Sequence, residues 1–498
     1  MKPSMACAMQ GLKNPELFKQ ACYINGKWVA AESEDTLSVR NPVDDTELGK
    51  VPNGGQEEAM HAIYAANAAW KAWRQLTAKE RASILLAWAD LIDENKEDLA
   101  RIMTLEEGKP LAESRGEMEY ANGFIRWYAE EARRVYGDVI LSNKPQQRLL
   151  VIKQPVGVVA AITPWNFPSA MITRKVAPAL AVGCTVVVKP DSKTPFSALA
   201  LAVLAEKAGM PAGVLNIVTG QAADIGQEFT SNPLVRKLSF TGSTAVGRLL
   251  MAQCATSIKK ISLELGGNAP FIVFEDADIN SAVQGAMASK FRNAGQTCVC
   301  ANRFYIHEKI YDKFAEKFVA AVKQLKIGNG LEQGIQVGPL ISKAALEKVE
   351  AHINDGIDHG AQIRCGGKPH ALGGLFFEPT VMTHVNASMR FAREETFGPV
   401  APLFRFSSEQ EVIQMANDTE YGLASYFYSQ DVSRIWRIAE ALEYGMVGIN
   451  AGIISTEVAP FGGVKQSGIG REGSMYGLEP YLEIKYVCME LAGDPGTL

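Results

Sequence analysis

Between residues 149 and 241 short, almost wholly apolar runs alternate with helical segments, and this pattern leaves few folds open. The runs are 149–163 (LLVIKQPVGVVAAIT), 184–189 (CTVVVK), 215–219 and 237–241. Helical periodicity fills the intervals 170–181, 196–208 and 222–230, and follows again at 244–255. A strand apolar on both faces has no solvent side, so its sheet must be covered twice. Strands of that kind alternating with helices imply a parallel, doubly wound α/β sheet.

The rest of the chain extends this frame. A hairpin is predicted around Asn25-Gly26. Helical patterns cover 56–74, 78–103 and 112–136, with Gly137 as a stop. A second α/β region follows from residue 269, with strands at 269–274 and 304–307 and helices at 279–292, 310–325, 340–360, 411–416 and 434–442. The tail 481–490 reads as an extended strand whose open edge seeks a partner. With 498 residues, two to four domains are expected. The net charge of −5, without concentrated Lys and Arg, argues against nucleic acid or an anionic membrane surface as partners. The first twenty residues carry no long apolar run and no arginine, which speaks against a targeting peptide. No run approaches the ~20 apolar residues of a membrane helix, so a cytoplasmic protein is expected. The cysteines form no disulfide framework and no Cys-x-x-Cys pair, and the six histidines form no metal-ligand cluster; no metal site is expected.

Chemistry concentrates at 291–300, FRNAGQTCVC. Cys298 follows Asn293, Gly295, Gln296 and Thr297, which turn readily and bring backbone N–H groups near a reacting atom. A thiolate is the strongest side-chain nucleophile near neutral pH, but a thiol there is mostly protonated, so another group must take its proton. The alternative is a small buried hydrophobe. Four sharp turns close strands of the first domain, where open parallel sheets bind ligands: TPWNFP (163–168), KPDSKTP (189–195), TGSTAVG (241–247) and ELGG (264–267). Gly242 and Ser243 open a helix suited to a pyrophosphate, and Lys189 could reach ribose hydroxyls. Ordinary turn chemistry with Ser243 as an N-cap is the alternative. Glu264, at the end of an apolar strand, is a candidate base. Glu395 is a second acid, and Asn166 offers an amide donor for an oxyanion. The run Gly468-Ile469-Gly470-Arg471-Glu472-Gly473 matches G-x-G-x-x-G but does not open a βαβ helix, so it is not read as a dinucleotide fingerprint.

The ordered motifs PWNFP, VVKP, FTGS, LELGG, GQTC, EETFGP and PFGGVKQSGIGRE together resemble the aldehyde dehydrogenase superfamily, from about Tyr23 to Val487. The resemblance implies that fold: two doubly wound α/β domains, one for the cofactor (1–138 and 160–268) and one catalytic (269–479), plus small β oligomerisation strands (139–159 and 480–498). It implies NAD(P)-dependent aldehyde oxidation with Cys298 as nucleophile, Glu264 as base, and Asn166 with the Cys298 backbone N–H as oxyanion hole. Trp165, Lys189, Ser192, Gly242, Ser243, Leu265, Glu395 and Phe397 would hold the cofactor. A homo-oligomer, dimer or tetramer, is also implied.

Within that superfamily the chain resembles succinate-semialdehyde dehydrogenases, through PWNFPSAMITRKVAPAL, FRNAGQTCVCANRF, Ile454-Ser455 and GREGSMYGLEPYLEIKYVC. This implies an aldehyde substrate with a distal carboxylate, gripped by Arg174, Arg292 and Ser455, with Phe124 and Phe461 as pocket aromatics. A guanidinium forks onto a carboxylate bidentately. Alternatively Arg174 caps a helix surface and Arg292 pairs with a nearby acid. Glutarate semialdehyde is one methylene longer and remains open as a substrate; a thiol esterase or a non-catalytic binding protein are the readings from other classes. A neutral Ser192 beside Lys193 favours NADP, with NAD usable, although Asp191 could turn inward. Cys300 is a candidate redox partner of Cys298. In an extended segment their Cα atoms would lie ~6.6–7 Å apart, at the edge of disulfide reach.

Overall fold

The computed structural model describes residues 11–492. The first ten residues of the N-terminal arm and the last six of the expected C-terminal strand region lie outside them. The apolar runs form the centre of an eight-stranded sheet, ordered Gly468–Ile469, Lys260–Glu264, Val235–Thr241, Val158–Ile162, Thr185–Lys189, Leu215–Ile217, Cys22–Ile24, Lys27–Val29. The five strands from Lys260–Glu264 to Leu215–Ile217 are parallel, and the flanking ones antiparallel. From Val158–Ile162 the chain winds first toward Leu215–Ile217, then returns to the other side for Val235–Thr241. That reversal opens a crevice at the carboxyl ends of the central strands, where the loop 163–168 emerges. The helix Ala170–Val182 is buried at every position, as a helix between a sheet and further helices must be.

The predicted hairpin is present, with Asn25 at φ 53° and Gly26 at φ 70°, the left-handed pair of a type I′ turn. The predicted helix 78–103 is two helices, Ala78–Glu94 and Lys96–Glu107, broken at Asn95 (φ −103°, ψ 10°). The second ends on Gly108 in the left-handed region, φ 93°. The helix expected over 112–136 is Leu111–Glu131, continued by a short 3₁₀ turn.

The second domain is built on a seven-stranded sheet: Gln362–Cys365, Thr380–Thr383, Val400–Phe406, Ala301–His307, Ala269–Val273, Ala424–Tyr428, Met446–Ile449. Only the Gln362–Cys365 edge is antiparallel. Five of its strands carry no sequence-level signal that separated them from loop. Phe271, Phe304, Phe314 and Phe318 form part of its core.

The apolar run 149–163 is not one strand. Gly157, at φ 127°, separates Gln147–Pro155 from Val158–Ile162. The expected oligomerisation segment 139–159 therefore runs two residues too far, because Val158 and Val159 belong to the large sheet. Gln147–Pro155 pairs instead with the tail. Nine residues, Leu482–Glu490, run antiparallel to it, from Leu482 opposite Pro155 to Glu490 opposite Gln147. So the tail strand finds a partner within its own chain. With Asp138–Ile140 these make a three-stranded sheet whose outer edge exposes Ile484 and Tyr486.

Candidate active site

A cavity of about 550 Å³ occupies the crevice. The first domain lines it with Trp165 and Asn166, with Thr241, Gly242 and Ser243, and with Glu264 and Leu265. Each group follows the carboxyl end of a parallel strand. The second domain supplies Cys298, Glu395 and Phe397, and the helix Lys343–Asp358 adds Ala345 and Lys348. Nine of the sequence-identified residues thus meet in one space. Ser192 does not line it; with Lys193, Ser342 and Lys343 it lines a neighbouring cavity of about 990 Å³. Lys189 ends its strand opposite Ile162, and burial lowers its pKa against the pull of Asp191.

The Cys298 segment is shaped by three consecutive left-handed residues, Asn293 (φ 49°), Ala294 (φ 52°) and Gly295 (φ 75°). A Cβ on Gly295 would lie 2.2 Å from the Gly398 carbonyl oxygen, so only glycine lets the loop pass. The Cys300 N–H then donates to the Thr297 carbonyl at 3.1 Å. The segment is a turn, which corrects the extended geometry expected around Val299. Cys298 lines the cavity, while the Cys300 thiol is buried 3.4 Å from the Lys290 ammonium and 3.4 Å from the Gly295 carbonyl.

The acid–base state follows from burial. Burial, reinforced by Glu395, pushes the Cys298 thiol up to about 12, against the pull of Arg174 and Arg292. Glu264 is held well above the usual carboxylate range by burial and by Glu472, and its Oε2 has no hydrogen-bond partner. Burial pushes Glu395 up to about 7, although Gly267 donates its N–H to it at 3.1 Å. Burial thus disfavours the ionised form of the thiol and of both acids. The decoy glycine run has a structural role here. Gly468–Ile469 is the edge strand paired with Leu263 and Glu264, and a Cβ on Gly468 would lie 1.9 Å from the Leu263 carbonyl oxygen.

Asn166 donates from its side-chain amide to the Gln296 carbonyl at 3.0 Å. Its own main-chain carbonyl accepts from the Lys109 ammonium at 2.6 Å and from the Asn293 amide at 3.0 Å. Lys109 and Glu117, which no motif marked, complete this support. Glu472 was likewise missed as a site residue. It lay inside the decoy run, and it pairs with both Arg174 and Lys175.

The substrate candidates divide. Arg174 is not a surface cap. It is 1% exposed, lies 4.0 Å from the Phe461 ring and 5.3 Å from the Phe124 ring, and leaves Nη2 without a hydrogen-bond partner. Arg292 is not paired with an acid among the described residues. It is half-buried over the Phe167 ring at 5.3 Å and lines a third cavity, of about 390 Å³, with Glu113 and Ile453. Ser455 is half-buried in the segment 450–460. That segment packs on the helix bearing Phe124, since a Cβ on Gly123 would lie 3.2 Å from the Glu457 carboxyl carbon.

Comparison with known proteins adds the following. The model of the aldehyde dehydrogenase family matches residues 28–487. A succinate-semialdehyde dehydrogenase [NADP(+)] of Escherichia coli (strain K12) is 62% identical over 480 residues, 96% of this chain and 100% of that protein. A glutarate-semialdehyde dehydrogenase of Pseudomonas aeruginosa is 61% identical, covering 96% and 99%. The crystal structure of a succinate-semialdehyde dehydrogenase from Burkholderia pseudomallei superposes with a TM-score of 0.96 at 61% identity, covering 97% of this chain and 100% of that one.

Proposed function

The chain belongs to the aldehyde dehydrogenase family, and we propose that it oxidises succinate semialdehyde to succinate with NADP, NAD being usable in its place. The observation that carries the substrate reading is the placement of two guanidinium groups around the nucleophile. Arg174 and Arg292 both act electrostatically on the Cys298 thiol; Arg174 pairs with Glu472 but keeps Nη2 without a partner, and Arg292 makes no ion pair among the described residues. A neutral aldehyde would leave the Arg292 charge unanswered; a distal carboxylate answers it with charge-assisted hydrogen bonds and gives Arg174 Nη2 an acceptor. Phe124 and Phe461 flank Arg174 and are proposed as pocket aromatics, with Ser455 as a third donor.

The residues present fit a dinucleotide. The Thr241 hydroxyl is buried without a partner, and the helix Thr244–Ala255 begins beside the cavity; the Ser243 side chain caps its Val246 N–H, which leaves the Thr244 and Ala245 N–H groups for an anion. Trp165, Gly242, Ser243, Leu265, Glu395 and Phe397 would hold the group, with Lys189 and Ser192 at its ribose end. Asp191 accepts the Lys193 N–H at 2.9 Å, so it faces its own loop. This supports the neutral Ser192 as the residue a 2′-phosphate meets, and hence NADP.

In the reaction, the Cys298 thiol gives its proton to a solvent water, and the thiolate sulfur adds to the aldehyde carbon. Asn166 and the Cys298 N–H stabilise the oxyanion of the resulting thiohemiacetal. A nicotinamide held by the residues named above would supply the hydride acceptor that oxidation of this adduct requires. Glu264, once ionised, takes a proton from water, and the hydroxide releases the acid and restores the thiol. Splitting the oxidation into two steps makes each easier.

A second reading, glutarate semialdehyde, is favoured by the Pseudomonas relative's activity. One methylene is worth only about 1–3 kcal/mol of discrimination. Succinate semialdehyde, glutarate semialdehyde and an uncharged aldehyde, each assayed with NADP and NAD, test both. Equal kcat/KM on charged and uncharged aldehydes would overturn the carboxylate reading, and a strong preference for NAD the reading of Ser192.

The cofactor and catalytic domains, at 1–138 with 160–268 and at 269–479, are proposed as the functional division, together with a cytoplasmic homo-oligomer, dimer or tetramer. The exposed edge of the tail strand, with Ile484 and Tyr486, supports pairing between copies. No helix among the described residues is long and apolar enough to cross a membrane.

A further inference from the structure

The activity proposed above depends on an amide donor held in one place, and the geometry points to Lys109 as the residue that holds it. We infer that Lys109 is a positioning residue for Asn166. The helix Lys96–Glu107 stops at left-handed Gly108, which turns the next residue inward. The Lys109 side chain is fully buried and lines none of the cavities described above. Its ammonium meets the Glu117 carboxylate at 2.7 Å, the Asn166 carbonyl at 2.6 Å and the face of the Phe167 ring at 4.1 Å. So it grips two consecutive residues of the 163–168 turn. Glu117 grips the same turn further on, accepting the Ser169 and Ala170 N–H groups at 3.0 and 3.1 Å.

The second tether comes from the nucleophile's own loop. Asn293 donates to the same Asn166 carbonyl at 3.0 Å, and its backbone N–H donates to Glu113 at 2.8 Å. Gln296 takes one N–H of the Asn166 amide on its carbonyl. With one amide hydrogen anchored and the peptide clamped from two sides, the other amide hydrogen is free to serve the cavity that Cys298 lines. A charge-assisted bond to a carbonyl is short and directional, so a buried ammonium makes a stiffer tether than a neutral donor. The distance between oxyanion donor and nucleophile is thus set by Lys109 and Asn293 together. Lys109 touches neither substrate nor cofactor and acts through Asn166.

The test is the first-turnover rate of NADPH formation with succinate semialdehyde, measured in wild-type and Asn166→Ala backgrounds. Lys109→Met combined with Glu117→Gln removes the closer of the two ion pairs of Lys109 as a unit, and takes from the buried Glu107 the ammonium 4.0 Å away; Asn293→Ala removes the other tether and carries the test if the first pair fails to fold. In the wild-type background the rate is expected to fall about 10–100-fold for the pair, part of the ~10²–10³ an oxyanion donor contributes. A smaller fall is expected for Asn293→Ala, with NADP affinity unchanged in both. In the Asn166→Ala background the same changes are expected to cost less than about twofold, because residues acting through one group are non-additive. A full-size loss repeated without the Asn166 amide, or no loss with it, overturns the inference. Absence of turnover by the wild-type enzyme would instead overturn the proposed activity on which this inference rests.

Discussion

The Cys300 thiol lies 3.4 Å from the Lys290 ammonium, in a buried site that also contains the Asn302 side chain. To bridge Cys298 it would have to leave that ammonium and the Gly295 carbonyl, also at 3.4 Å. Cys300→Ala and wild type are therefore expected to lose activity alike under mild peroxide and to recover alike under dithiothreitol. Better recovery of the wild type would show that Cys300 protects Cys298 by bridging it, against irreversible oxidation.

Arg292 makes no ion pair among the described residues, so its removal tests the carboxylate reading with little disturbance elsewhere. Arg292→Ala is expected to reduce kcat/KM on succinate semialdehyde by about 2–5 kcal/mol, the usual cost of losing one partner of a desolvated charge pair. On an uncharged aldehyde of similar size the loss should be small. Arg174→Ala is a less direct test, because it also strips a partner from Glu472.

Glu264 has a pKa raised well above that of an ordinary carboxyl by burial and the Glu472 charge. A base works only when ionised, and a raised pKa means ionisation begins later as pH rises. The steady-state rate should therefore climb with pH well past the range in which a solvent-exposed glutamate has finished titrating. Glu264→Gln should leave the first turnover of NADPH and slow every later one, removing that limb of the profile. Cys298→Ala should remove even the first turnover and keep cofactor binding. A burst from Cys298→Ala, or an unchanged steady state in Glu264→Gln, would reverse these roles.

Gly295→Ala is expected to cost activity out of proportion to its size. The added carbon would meet the Gly398 carbonyl at 2.2 Å in a backbone already at φ 75°. One of the two loops must move, and together they carry Cys298 on one side and Glu395 and Phe397 on the other. The expected result is a first-turnover rate reduced at least tenfold, in line with the sensitivity of reactions to misplacement of about 1 Å. A near-normal rate would mean that the loops relax without displacing the thiol.

Much of this architecture is local chemistry. A β-branched run such as 184–189 is extended because its side chains favour it, and it is buried on both faces because its one polar side chain before Lys189, the Thr185 hydroxyl, donates to the Ala66 carbonyl. The Asn25-Gly26 turn and the mismatch of 468–473 with a dinucleotide fingerprint could be read from neighbouring residues, whereas the helix expected to stop at Gly137 ends at Glu131 and its 3₁₀ turn at Arg134. Even Cys298, the proposed nucleophile, stood out, since Gly, Gln and Thr beside a cysteine are poor lining for a core. Glycine also marked the places where backbones approach closely, although the partner, Gly398 for Gly295, could not be named.

The tertiary structure alone decided what those residues face. Asn166, Glu264, Cys298 and Glu395 come from four separate loops, and only the reversal of strand order after Leu215–Ile217 puts the first two around one crevice. Short strands such as Thr380–Thr383 and Ala424–Tyr428 are strands because flanking strands complete their hydrogen bonds, a condition absent from their own periodicity. The turn that sends Cys298 to the cavity and Cys300 to Lys290 depends on the carbonyl of Gly398, about a hundred positions away. Lys109 and Glu472 gave no signal for the same reason. A buried charge is explained by its partners: Glu117 lies only eight residues from Lys109, but the carbonyl that gives Lys109 its place at the site is 57 distant at Asn166, and the Lys175 that pairs with Glu472 is 297 distant. Local sequence sets backbone preference and hydrophobic pattern, whereas burial, pKa and the aim of a side chain are set by groups that only folding brings within a few ångströms.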